Sequence, residues 1–187
     1  MTNQGNQKRV LALDVHPHSF GFVVFEGPND LLDWGVKSFR PGVNAVKIPA
    51  AKKIFGLLDG FSPSVIVVRE RETERSANRT HILATVQRLA RTRNIPLRFI
   101  SHGAITKAFA GSESNKHEVA SALTQQFSFL VSRLPPRRKC WQSEDYRMSI
   151  FDAAAAGVAY FARRKQLPAA TDQQTNSTEP TPQSPNP

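Results

Sequence analysis

At 187 residues, 40% of them hydrophobic, the chain has room for one domain with a sizeable core. Lys and Arg number 25 against 15 acids, and a net charge of +10 favours a polyanionic partner, nucleic acid first and an anionic membrane surface second. No apolar run approaches the roughly 20 residues of a membrane span, the polar start 1–9 lacks the apolar middle of a secretion signal, and the single cysteine, Cys140, excludes an intrachain disulfide or a cysteine zinc cluster. A soluble cytoplasmic protein with no membrane partner and no organic cofactor is the expectation.

In chain order, residues 1–8 read as a flexible start. Residues 9–15 and 20–25 are apolar strands joined by the turn His16-Pro17-His18-Ser19, and a third strand, 32–39, follows the turn signal Gly27-Pro28-Asn29-Asp30. Residues 45–58 have helical spacing through Ile54, Leu57 and Leu58, with Pro49 blurring the start. Val65-Ile66-Val67-Val68 is a continuous apolar strand of the kind buried in parallel sheets. Residues 78–93 place Ile82, Leu83, Val86, Leu89 and Ala90 on one helical face. A short strand, 97–100, a small helix, 103–110, and a loop, 111–115, follow. The spacing then predicts one helix from Lys116 to about Leu134, stopped by Pro135-Pro136, and a last Ala-rich helix from about Asp145 to Lys165. Residues 167–187, rich in Pro, Thr, Gln, Ser and Asn, have almost nothing to bury and read as a disordered tail. The folded part, 9–166, is thus a mixed α/β sheet covered on both faces.

Three acids stand in apolar settings: Asp14 on the first strand, Glu70 after Val65-Ile66-Val67-Val68-Arg69, and Asp152 in Ile150-Phe151-Asp152-Ala153-Ala154-Ala155-Ala156. A carboxylate in such surroundings costs several kcal/mol unless compensated, so a shared metal suggests itself. Each acid also has an ordinary reading. Asp14 suits a satisfied strand end. Glu70 competes with Glu72 and Glu74 within a solvated charge run, and strand alternation puts Glu70 and Glu72 on one face. Asp152 could be a buried acid with a local partner. Asp145 suits a helix N-cap or a favourable charge near a helix N-terminus, and is a further candidate ligand. Lys116, after Ser114-Asn115 at a helix start, could hold a phosphate, with Lys107 as a weaker counterpart. Arg69, Arg71, Arg75 and Arg79 cluster around Glu70, and Arg137-Arg138-Lys139 precedes Trp141; such patches suit nucleic-acid backbone contacts or a solvated face. His16 and His18 are a weak zinc signal.

The order of these elements, with acids on the first strand, the fourth strand and the final helix, resembles the ribonuclease H-like fold: a five-stranded mixed sheet, three antiparallel strands then two parallel, flanked by helices. Within that fold the chain resembles the RuvC Holliday-junction resolvase family. Leu11-Ala12-Leu13-Asp14 with Gly21 matches the family's opening strand, turn and glycine-bearing second strand. Val67-Val68-Arg69-Glu70 stands where the family has a strand ending in its second acid. Ala77-Asn78-Arg79 with Ile95-Pro96-Leu97 matches the next helix and strand, and Ala104-Ile105-Thr106-Lys107 through Asn115-Lys116-His117-Glu118-Val119 the segment carrying the family's lysines. Phe151-Asp152-Ala153-Ala154-Ala155 matches the terminal helix. The family carries two aspartates three residues apart on that helix; here the partner of Asp152 is missing, at Ala155 in one alignment and at Ser149 in the other. Asp145 is seven residues away, roughly 10 Å along a helix.

The resemblance implies a structure-selective endonuclease acting on branched DNA as a homodimer. It implies two Mg²⁺ or Mn²⁺ ions held about 4 Å apart by Asp14, Glu70 and Asp152, with Lys116 as a catalytic cation. The rivals are a binding module of the same fold, its catalysis lost with the fourth acid, and an RNA-processing nuclease.

Overall fold

Residues 8–39, 47–71, 76–109 and 115–166 are described by a computed structural model. Val10–Val15 (β1) is buried along its whole length, as a strand in the middle of a sheet must be. It pairs antiparallel with Ser19–Gly27 (β2), which pairs antiparallel with Asp30–Ser38 (β3). After the helix Lys47–Phe61 (α1), Val65–Arg69 (β4) lies parallel to β1 on its other side. The helix Ala77–Thr92 (α2) then crosses over to Leu97–Ile100 (β5), parallel to β4. The sheet order is β3-β2-β1-β4-β5. This is the ribonuclease H-like arrangement of three antiparallel and two parallel strands. Pro49 is accommodated in the first turn of α1, where a missing N–H costs nothing.

Alternation along β1 and β4 builds two cores. Leu11, Leu13, Val15, Ile66 and Val68 face α1 and α2 together with Phe20, Ile54 and Val86. Val10, Ala12, Val65 and Val67 face the opposite side, covered by the helices His102–Ala108 (α3), Lys116–Gln126 (α4) and Met148–Gln166 (α5). Ala153, Ala154, Ala156 and Ala159 are fully buried, and these small side chains let α5 lie close to the sheet.

Two boundaries differ from the sequence expectation. The helix from Lys116 stops at Gln126 and gives way to a 3-10 segment, Ser128–Arg133, instead of continuing to Leu134. Phe127 breaks it: its backbone turns extended (φ −124°, ψ 89°), and its ring is buried edge-on against Phe25 at 6.0 Å. The last helix begins at Met148, three residues later than expected, because Asp145 Oδ1 accepts the Arg147 backbone N–H and forms a turn ahead of it. Of the expected flexible start, 1–8, residues 1–7 lie outside the described residues, as does the expected tail, 167–187.

Candidate nucleic-acid interface and its buried charge centre

Asp14 lies near the end of β1, paired with Gly21 of β2, and is completely buried. Its side chain follows Val10 and Ala12 toward α5. On β4 the same face carries Val65 and Val67, so the next inward positions are Arg69 and Arg71. Glu70 follows β4 directly, its backbone N–H donating to the Ile100 carbonyl at 2.8 Å, and continued alternation from Ile66 and Val68 carries it away from Asp14, to where it is exposed. Beside Asp14, where the resemblance implied Glu70 as a fellow metal ligand, stand two arginines instead. Asp152, one turn into α5, comes down onto this face, 7% exposed.

The contacts are those of a salt-bridge network. Arg71 grips Asp14 with two parallel bonds, Nε to Oδ1 at 2.9 Å and Nη2 to Oδ2 at 2.8 Å, and Nη2 also reaches Asp152 Oδ2 at 3.2 Å. Such bidentate pairing is the strongest form of a guanidinium–carboxylate contact. Arg69 Nη1 lies 2.8 Å from Asp152 Oδ2 and 3.8 Å from Asp14 Oδ1. Lys116 Nζ stands at the rim, 3.2 Å from Asp152 Oδ2 and 2.6 Å from Glu144 Oε1. His16 Nε2 is 2.7 Å from Asp14 Oδ2, so the first histidine of the turn bonds the carboxylate, while His18 is exposed.

Burial alone would raise the pKa of Asp14, but hydrogen bonds from His16 and Arg71, and the charges of both, hold it well below the usual carboxylate range. Asp152 goes the other way: burial and then the negative charge of Asp14 raise it, against the pull of Arg69, Lys116 and Arg71. Asp14 is therefore the firmly ionised member of the pair.

Ser149 and Ala155 are the two positions at which the resemblance leaves the second helix acid missing. Ser149 packs over Gly21, the strand partner of Asp14, whereas Ala155 lies within the core. Its hydroxyl donates to the Tyr146 carbonyl at 2.8 Å. Asp145 is held by Arg147, whose hydrogen bonds lower its pKa against the opposing effect of burial, and it forms the turn before α5.

The donor set of the described residues does not fit two divalent ions. Hard cations need a surplus of carboxylate oxygens. Among the described residues no three His, Cys, Asp or Glu side chains converge in a way that could hold a metal. The acids that do converge, Asp14 and Asp152, already face the cations of Arg69, Arg71 and Lys116.

The remaining expected contacts divide. Arg79 is buried, its Nε donating to the Val15 carbonyl at 3.1 Å, so it ties α2 to the end of β1 and is not a surface cation. Lys107 is exposed on α3. Arg137, Arg138 and Lys139 are exposed, with the Lys139 ammonium 5.4 Å from the centre of the Trp141 ring. Arg75 lies outside the described residues, as do Glu72 and Glu74. A groove of about 800 Å³ runs beside the centre, lined by Lys116, Arg137, Arg138, Glu144 and Asp145 among others. Sequence reasoning missed Glu144 as the partner of Lys116, and took Arg69 and Arg71 for surface cations; the period-two count from Val65 and Val67 was the available signal.

Because Glu70 faces away from the centre, Glu70→Gln is expected to leave stability unchanged within about 0.5 kcal/mol, as for most exposed substitutions. Thermal melts of the two proteins would check this.

No family model and no curated protein sequence matches the chain. Solved structures do. RuvC of Thermus thermophilus in complex with a Holliday-junction substrate superposes with a TM-score of 0.62 at 18% identity, over 84% of this chain and 96% of that one. The yeast mitochondrial Holliday-junction resolvase Ydc2 gives 0.60 at 13% identity, over 86% and 80%. The fowlpox virus resolvase gives 0.50 at 9%, over 83% and 99%. At these identities the likeness speaks for architecture, and it agrees with the element order: the chain has the ribonuclease H-like fold of the RuvC-type Holliday-junction resolvases.

Proposed function

We propose that the chain acts on branched DNA, gripping its phosphate backbone where the groove of Lys116, Arg137 and Arg138 opens beside the buried Asp14–Asp152 centre. That groove, on a fold whose solved neighbours include complexes with Holliday junctions, is the observation that carries the reading. The net charge of +10 supplies long-range attraction, and exposed guanidinium groups supply phosphate contacts that release counterions. A four-way junction has two-fold symmetry, so a homodimer belongs to the proposal.

Strand hydrolysis is the second reading. It is favoured by the two acids, Asp14 and Asp152, that stand at positions the resolvase resemblance assigns to ligands. Incision of a labelled junction would select it; binding without incision in Mg²⁺ or Mn²⁺ selects a binding module. An RNA-processing role would show as tighter binding to RNA than to junction DNA in competition.

Fluorescence anisotropy with a four-way junction tests the binding step. Affinity is expected to exceed that for linear duplex and to fall steeply with salt. The double variant Arg137→Glu, Arg138→Glu is expected to weaken binding and to flatten the plot of log affinity against log salt by roughly 1 to 2 in slope. Equal affinity for duplex and junction, or a slope the variant leaves unmoved, would overturn the proposal.

A further inference from the structure

We infer that Arg69 and Arg71 are a built-in cation pair, standing where the resolvase resemblance expects divalent ions, so that the centre receives a DNA phosphate at its mouth and takes up no metal. The inference rests on the branched-DNA reading for its ligand, but its metal half stands without it.

Three observations carry it. The first is placement: Arg69, the last residue of β4, and Arg71, two residues beyond it, both reach Asp14 and Asp152, and the one acid of that stretch within the described residues, Glu70, is exposed. Second comes burial. The side chains of Arg69 and Arg71 are only 9% and 16% exposed, and Asp14 is inaccessible. A divalent ion would have to evict guanidinium groups from their carboxylates into apolar surroundings, leaving buried cations unpaired. Among the described residues, the carboxyl groups of Asp14, Asp152 and Glu144 already face the cations of Arg69, Arg71 and Lys116, which leaves little to draw a further cation in.

The third observation points to the ligand. Arg69 is 7% exposed, yet its Nε and Nη1 find no hydrogen-bond acceptor among the described residues; Nη1 is close to Asp152 but misaligned for a bond. Buried donors are nearly always satisfied. A metal ion would leave these donors unpaired, and they lie too deep for a phosphate to reach directly, so the anion-facing group is the exposed end of the cluster. Lys116, at the rim between Asp152 and the groove, is the cation through which a phosphate would first engage the centre.

The test uses the full chain and Mn²⁺ itself. Electron paramagnetic resonance of Mn²⁺ titrated with wild-type protein is expected to show no uptake at micromolar to submillimolar concentrations, with or without junction DNA. Junction affinity is expected to be equal in EDTA and in Mg²⁺ at matched ionic strength. Arg69→Glu puts a third carboxylate beside Asp14 and Asp152 and is expected to gain Mn²⁺ binding and a Mn²⁺-dependent rise in melting temperature. Lys116→Met, at the rim, is expected to lower junction affinity about tenfold. Micromolar Mn²⁺ uptake by the wild type, or junction binding that requires Mg²⁺, would overturn the inference. Unchanged affinity in Lys116→Met would overturn its phosphate half. If Arg69→Glu does not fold, the wild-type titration decides alone. Wild-type protein that binds no junction in either buffer refutes the DNA reading, and the Mn²⁺ titration still judges the metal half.

Discussion

Asp14→Asn is expected to destabilise the protein by about 3 kcal/mol, the usual cost of breaking a buried ion pair by removing one partner. For a chain of this size that is a fall of roughly 6 to 12 °C in melting temperature. The sign carries the information. In a cluster of carboxylates waiting for metal ions, replacing one by an amide relieves repulsion and raises the melting temperature of the metal-free protein. Here Asp14 is the anion held by Arg71 and His16 and approached by Arg69, so the amide leaves buried guanidinium groups short of charge. Arg71→Met alone is expected to be destabilising too. The double variant should lose less than the sum of the two, with a coupling of about 2 kcal/mol. Acid supplies an independent check. The pKa of Asp14 is depressed in the fold, so its contribution is complete above the unfolded value of about 4 and is lost as pH falls toward the folded value. The gap between wild type and Asp14→Asn should therefore narrow below about pH 4. A variant that melts above the wild type at pH 7 would mean that the centre is acid-rich, with Arg71 not its counter-ion.

The sheet was readable because its signals are local and strong. Val10 to Leu13 and Val65 to Val68 are apolar without interruption, as strands covered on both faces require, and Gly27-Pro28-Asn29-Asp30 marks the turn between β2 and β3. The end of α4 was not readable: the residues from Ser128 to Arg133 continue a helical pattern, and it is a tertiary contact, Phe127 against Phe25, that breaks it. The charge centre was half readable. Asp14 and Asp152 stand out by their apolar neighbours, and the structure brings them together. Glu70 was chosen because an apolar run leads into it, but a run does not say which face its last residue takes. Alternation counted from Val65 assigns the inward positions to Arg69 and Arg71. The partnership of Lys116 with Glu144 joins residues 28 apart through an irregular segment, and no periodicity announces it.

Gly21→Ala is expected to lower stability by about 3 kcal/mol, at the upper end for overpacking, and to weaken junction binding with it. A methyl group at Gly21 would run into the Ser149 carbonyl and lie 2.7 Å from its hydroxyl oxygen. The carbonyl belongs to helix backbone and cannot rotate away, so the first turn of α5 must lift from the sheet. Asp152 is three residues further along that helix, about 4.5 Å by its rise. Lifting the turn therefore draws Asp152 from Arg71 and Arg69 and shifts the wall that holds Lys116 over the groove. Gly56 provides the contrast. It is exposed in the middle of α1, a methyl group there meets nothing within 4 Å, and Gly56→Ala should stabilise by about 0.5 to 1 kcal/mol through helix propensity alone. Melting curves of the two variants should move in opposite directions, with only Gly21→Ala losing junction affinity. A Gly21→Ala protein that melts with the wild type would show that α5 does not rest on β2 at this point, and that the Asp14–Asp152 distance is set elsewhere.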